Sequence, residues 1–169
     1  MKTKLFTLMM LTVIALASFT SCSDDDSGPR ISAETQALRD KYSKTIVGNW
    51  YYEENTETSK QYQMLTILDN GKVSYSYRVE GRQLVYVDGK QVMTDWMTIG
   101  AKTGSGTWQL NYNVDLKKDC LDIYAEEVNS GKTNKASYNL EFAYANSDFL
   151  FVQPIPFLGT DVTCFKRMK

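Results

Sequence analysis

The sequence predicts an all-β fold, an antiparallel up-and-down barrel of about eight to ten strands preceded by a short N-terminal helix. Three observations predict it. From Gly48 onward, apolar and polar residues alternate with period two in one short run after another, the spacing of half-buried strands. Turn signals separate the runs: Asn70-Gly71, Asp88-Gly89 and Ser130-Gly131. Upstream of Thr45 the period is helical instead, so the chain changes character once. A meander of many short antiparallel strands is the pattern of a barrel or sandwich, and about eight strands enclose just enough room for packed side chains or one small ligand.

Residues 1–21 read as an export leader. Lys2 and Lys4 form a basic start, Leu5 to Ala17 is apolar apart from two threonines, and Ser18, Thr20 and Ser21 are small residues before Cys22. The stretch is too short for a stable transmembrane helix. The run Phe19-Thr20-Ser21-Cys22 resembles a bacterial lipobox, with Phe19 where leucine is usual. That resemblance makes Cys22 the lipidated first residue of the mature chain, tethered to a membrane by acyl chains. Residues 22–31 form an acidic linker containing Asp24-Asp25-Asp26. Residues 32–44 read as the helix: Ser32 suits the N-cap, Glu34 the first turn, and Lys41 and Lys44 the last. Its apolar stripe is Ala33, Ala37, Leu38 and Tyr42, suited to plugging one end of the sheet, with partner binding as the other role for such a face.

The barrel is expected over residues 45–169. Its strands read as 48–54, 61–68, 73–79, 83–87, 91–96 (running on toward Ile99), 107–112, 121–127, 137–144, 149–153 and 161–167. Gly100, Gly104 and Gly106 make 100–106 loop-like. Pro154 and Pro156 interrupt the sheet, since proline cannot donate to a ladder.

Several function classes drop out on composition. The chain has 19 basic and 20 acidic residues and no basic stripe, which argues against a nucleic-acid partner. It has no histidine, which removes Ser-His-Asp and Cys-His catalysis and His-ligated zinc or haem. The carboxylates Glu53-Glu54, Asp115, Asp119, Asp122 and Glu126-Glu127 read as solvated surface, without a calcium-loop spacing. No segment fits a phosphate loop. The expectation is a protein that is not an enzyme, with no metal and no cofactor.

Candidate binding residues come from the aromatics. All 11 tyrosines lie at or after Tyr42. Alternation puts Tyr75, Tyr77, Trp108, Tyr112, Tyr138 and Phe142 on inward faces, where they offer apolar walls with hydroxyl handles for an amphipathic ligand. The same residues also suit plain core filling, because aromatics favour sheets. Cys120 and Cys164 are the thiols that remain once Cys22 is acylated. They read either as a disulfide in an oxidising compartment or as two buried free thiols.

Gly48-Asn49-Trp50 at the head of the first strand, together with the hairpin order and the ending Cys164-Phe165-Lys166-Arg167, resembles the lipocalin pattern. With the leader and the acidic run after Cys22, the chain is similar to lipocalin-like lipoproteins of the Bacteroidota. The resemblance implies an outer-membrane location, lipid-anchored and exposed at the cell surface, with the periplasmic face as the alternative. It also implies structural roles for Gly48 and Trp50, and a basic residue packed across Trp50, a part carried onto Arg167 with Lys166 as the fallback. The Thr-Asp-Tyr-type motif of true lipocalins is missing between the middle strands. The expected function is binding of a small hydrophobic or amphipathic ligand. The alternative is a protein-interaction module with a filled barrel, an enzyme inhibitor or an accessory subunit of an envelope complex.

Overall fold

A computed structural model describes residues 31–153 and 163–169. The leader, Cys22 and most of the acidic linker, and the proline loop with Ile155, Phe157 and Leu158, lie outside the described residues. The described elements are α1 (Ala33–Ile46), β1 (Gly48–Asn55), β2 (Ser59–Ile67), β3 (Lys72–Gly81), β4 (Leu84–Val87), β5 (Lys90–Met93), β6 (Met97–Asn113), β7 (Lys118–Asn129), β8 (Lys132–Ala145), β9 (Phe149–Gln153) and β10 (Thr163–Arg167). Eight strands close in the order β1-β10-β9-β8-β7-β6-β3-β2, every pair antiparallel. β4 and β5 stand apart as a hairpin between β3 and β6. Skipping that excursion, each strand pairs with its neighbours in sequence and β10 returns to β1. This is the expected up-and-down, lipocalin-like barrel, and closure leaves it no raw edge.

Strand direction gives the barrel two ends. The base holds the start of β1, the turns after β2 and β6, and the end of β10; the rim holds the β1–β2 and β7–β8 turns and the β4–β5 hairpin. The turns follow local chemistry. Asp88-Gly89 and Ser130-Gly131 each place two successive residues at positive φ, the mirror-image turn whose twist matches a hairpin.

α1 covers the base. The Ser32 hydroxyl accepts from the Thr35 amide at 3.1 Å, capping the helix start. The buried face is Thr35, Leu38 and Ile46, with Tyr42 half-buried; Ala33 and Ala37, expected in the stripe, are exposed. Thr35 takes the place of an apolar contact because its hydroxyl accepts from the Tyr112 amide at 2.9 Å and donates to Asn111 at 3.2 Å, tying α1 to the end of β6. Arg39 Nε adds a bond to the Leu110 carbonyl at 2.8 Å.

One predicted loop is a strand. β6 runs unbroken for 17 residues through Gly100, Gly104 and Gly106. Glycine costs strand entropy, but here it removes side chains the barrel has no room for. A Cβ on Gly106 would lie 1.9 Å from the Tyr124 carbonyl oxygen, and one on Gly104 would lie 2.2 Å from the Tyr75 ring. The barrel centre is filled by Trp50, Leu65, Ile67, Val73, Leu110, Leu121, Ile123, Leu140, Leu150, Val152 and Phe165, all buried.

Candidate binding site

The base closes around Trp50. Its ring is fully buried and its indole N–H donates to the Ile46 carbonyl at 2.8 Å. Arg167 pairs with Trp50 across the β1–β10 seam and lays its guanidinium over the indole, 4.2 Å from the ring centroid. The guanidinium also donates to the carbonyls of Val47, Thr45 and Ser147. Gly48 makes room for it: its φ is +151° and a Cβ there would lie 2.2 Å from Arg167 Nη1. Lys166 is exposed, so it is Arg167 that covers the tryptophan. These residues seal the base.

Inside the barrel, the six aromatic residues expected to form one wall are spread from base to rim. Phe142 is buried against Tyr42 of α1 at 4.9 Å between ring centroids. Tyr112 is half-buried where β6 meets the helix. Trp108 donates its indole N–H to the Leu68 carbonyl at 2.8 Å, closing over the β2–β3 turn. Tyr75 and Tyr138 do meet, with ring centroids 5.9 Å apart. Between Trp108 and Tyr138 stands Ile123, paired with each across its strand and fully buried. Leu110, Leu121, Ile123 and Leu140 are all buried together, so side chains pack the barrel centre here.

Glu127 was expected on the solvated surface but is buried on the inner face. It lies beyond Gly104 in the cross-strand row Tyr75-Gly104-Glu127. With no side chain at Gly104, the Tyr75 ring reaches across it and donates to Glu127 at 3.0 Å; Tyr138 donates to the same oxygen, and Lys102 Nζ lies 3.3 Å from it. Burial alone would push the Glu127 carboxyl up, but donors from Tyr138, Tyr75 and Lys102 outweigh it and hold the group below its ordinary range. Burial, with the carboxylate beside it, pushes the Tyr138 phenol up to about 12 and the Tyr75 phenol higher still. One row nearer the rim lie Tyr52, Gln63, Tyr77 and Lys102, all inward.

A cleft of about 680 Å³ lies on the outer surface. Two outward cross-strand rows line it, Tyr51-Met64-Ser76-Thr103-Val128 and Glu53-Tyr62-Arg78-Ala101, and so do Tyr52, Gln63, Tyr77 and Lys102 of the row between them. Small residues on β3 and β6 form its floor and larger ones its walls, so the groove runs across the strands for about 19 Å at ordinary strand spacing. Met168 closes one end. Arg78 stacks on Tyr62 at 5.1 Å and pairs with Glu80 at 3.3 Å. Of the six aromatic candidates, Tyr77 touches this groove. The signal that could have found it is the outward half of the same alternation, Ser76 with Tyr62, Met64 and Arg78.

Cys120 and Cys164 are free thiols rather than a disulfide. β8 and β9 separate their strands, and three strand spacings of about 4.8 Å exceed the Cα separation a disulfide spans. Cys120 points outward yet is buried, beside the outer row Gln109-Asp122-Asn139. In that row Asn139 and Gln109 donate to Asp122, a second carboxylate that is buried rather than solvated. Among the described residues no group of three Cys, Asp or Glu side chains could hold a metal ion. Among the same residues no helix is long and apolar enough to cross a membrane.

No protein-family model, curated protein or solved structure matches this chain. The fold and the groove therefore define the class: a closed, lipocalin-like β-barrel with a sealed base and an apolar cleft on its outer wall.

Proposed function

We propose that this chain is a non-enzymatic surface lipoprotein of the Bacteroidota lipocalin-like type, binding a small amphipathic ligand in the outer groove rather than at the barrel centre. The observation that carries this is the cleft of about 680 Å³, within the range of small-molecule sites, with Tyr51, Tyr62, Met64 and Val128 as apolar walls and Ser76 and Thr103 hydroxyls in its floor. The filled space at Ile123 argues against a central site of the same size. Lipidation at Cys22 rests on the leader and the small residues before it. The resemblance of the acidic run after Cys22 to that of Bacteroidota surface lipoproteins supports an outer-membrane location, at the cell surface or, alternatively, on the periplasmic face.

The test is a thermal-shift screen of lipids, sterols and glycans on the unacylated Cys22→Ala protein, repeated on Ser76→Trp, which fills the groove floor. A hit that loses at least tenfold in affinity in Ser76→Trp, with the melting temperature of the free protein unchanged, is the expected result. Hits indifferent to Ser76→Trp would overturn the groove assignment.

A second reading, a protein-interaction module, is favoured by the β4–β5 hairpin. It exposes Leu84, Tyr86, Val87 and Val92, with Met97 and Ile99 exposed just beyond, and Tyr86 is 69% exposed. Pull-down of one defined envelope protein that is lost on removing the hairpin would favour this reading.

A further inference from the structure

We infer that the outer edge of β4 docks a second copy of this chain, edge to edge and antiparallel, so that the two hairpins join into one sheet. β4 and β5 make a sheet of their own in which each strand has the other as its neighbour. The two-residue turn Asp88-Gly89 makes Val87 and Lys90 a hydrogen-bonded pair and Val85 and Val92 the next, with Leu84 and Tyr86 alternating between. The Gln83 carbonyl accepts from the Thr94 amide at 2.8 Å, as that alternation requires. The backbone N–H and C=O of Leu84 and Tyr86 therefore point away from β5, and among the described residues no backbone group meets them. Such an edge is usually guarded by a charge, a proline, a bulge or a covering element. β4 reads Leu84-Val85-Tyr86-Val87, with no charge, no proline and no bulge, and Leu84 and Tyr86 are 53% and 69% exposed. β5 by contrast carries the exposed Lys90, a guard on its own edge.

The occupant follows from the edge being complementary to itself. Antiparallel pairing about a two-fold axis at Val85 uses both outward residues of each copy. It sets Leu84 opposite Tyr86 of the second copy and Tyr86 opposite its Leu84, an aliphatic–aromatic pair made twice on one face. Val85 meets Val85 on the other face. The same register brings Asp88 of one copy abreast of Arg82 of the other, so opposite charges meet at both ends of the joined strands. Arg82 is held at the root of the hairpin, where its amide donates to the Thr58 carbonyl at 3.0 Å and its Nε to the Glu57 carbonyl at 2.8 Å. Among the described residues neither Arg82 nor Asp88 has an ion-pair partner within its own chain. Any extended segment could use the backbone groups, but the matched side chains and charges favour this chain's own edge. The pairing needs neither a ligand in the outer groove nor a lipid on Cys22.

The experiment is sedimentation equilibrium of the unacylated Cys22→Ala protein up to about 1 mM, a range that detects even weak association. A reductant keeps Cys120 and Cys164 from cross-linking. The mass is expected to rise with concentration from one chain to two and to stop there. Over the same range the amides of Leu84 and Tyr86 should exchange with deuterium more slowly, while those of Gln91 and Met93 do not change. Tyr86→Lys is expected to weaken association at least tenfold, since it places a charge on the edge. Arg82→Glu and Asp88→Lys should each weaken it, and the double variant should bind more tightly than either, because it restores opposite charges across the two-fold axis. The inference is overturned if the protein stays monomeric at 1 mM, assembles beyond a dimer, ignores Tyr86→Lys, or protects Gln91 and Met93 instead. A double variant no tighter than either single one overturns the register and with it the two-fold pairing. Exchange at Leu84 and Tyr86 with native edge residues decides the matter even if a variant fails to fold.

Discussion

Gly48 is glycine because the Arg167 guanidinium occupies the place where its side chain would begin. The guanidinium joins the seam of the barrel to the helix end through Trp50, Val47, Thr45 and Ser147. Arg167→Ala is expected to cost about 2–3 kcal/mol in chemical denaturation, from the lost cation–π stack and three carbonyl bonds. Arg167→Lys should fall between, since an ammonium keeps the charge but not the fork. The buried Glu127 network makes stability sensitive to acid. The Glu127 pKa lies below its ordinary value of 4.5, so the stability it contributes is present above that pH and lost as pH falls through its folded-state pKa. Glu127→Gln should flatten the acid limb of stability against pH, and an unchanged limb would show the network to be inert. The Gly-x-Trp start and the basic ending were readable in the sequence because both sit at strand ends with a fixed spacing to the seam. Glu127 was not. It belongs to an adjacent Glu pair that looks solvated until β7 places one member inward, opposite a glycine that lets Tyr75 reach it.

The helix, β6 and the β4–β5 hairpin relate differently to the barrel. α1 is part of the fold: Leu38 is buried under it, and Leu38→Ala is expected to cost about 2–4 kcal/mol. The hairpin is an addition. Gly81 and Met97 are already paired across β3 and β6, so joining them by a two-residue Asn-Gly turn in place of residues 82–96 should change stability by less than about 1 kcal/mol. A loss comparable to that of Leu38→Ala would show that the hairpin, through Trp96 stacked on Lys60 and Arg82, helps hold the rim. Hairpins were legible because each turn carries a glycine at positive φ, at Gly71, Gly89 and Gly131. β6 was misread because three glycines look like a loop to local propensity, whereas Gly106 and Gly104 allow the close approach of β7 and of the Tyr75 ring, a tertiary fact. The helix stripe was shifted for a related reason: Thr35 counts as polar, yet its hydroxyl is satisfied by β6 and buried there.

At the scale of the whole molecule, period-two alternation and turn spacing predicted an antiparallel up-and-down barrel of about eight to ten strands, of which eight close and two stand apart, but not which face binds. Inward aromatics looked like a pocket wall; in the closed barrel they are spread from base to rim around a packed centre of Leu110, Leu121, Ile123 and Leu140. The outer rows looked like ordinary solvent-facing residues, and the barrel's curvature gathers Tyr51, Tyr62, Met64, Ser76 and Thr103 into one groove. The most direct measurement of this account is methyl NMR of methionine- and isoleucine-labelled protein during titration with a hit from the ligand screen. Met64 and Met168 report on the groove, Met93 and Met97 on the hairpin, and Ile67 and Ile123 on the barrel centre. Groove binding gives saturable shifts at Met64 and Met168 with Ile67 and Ile123 unmoved. Shifts at Ile123 with Met64 and Met168 unmoved would contradict it.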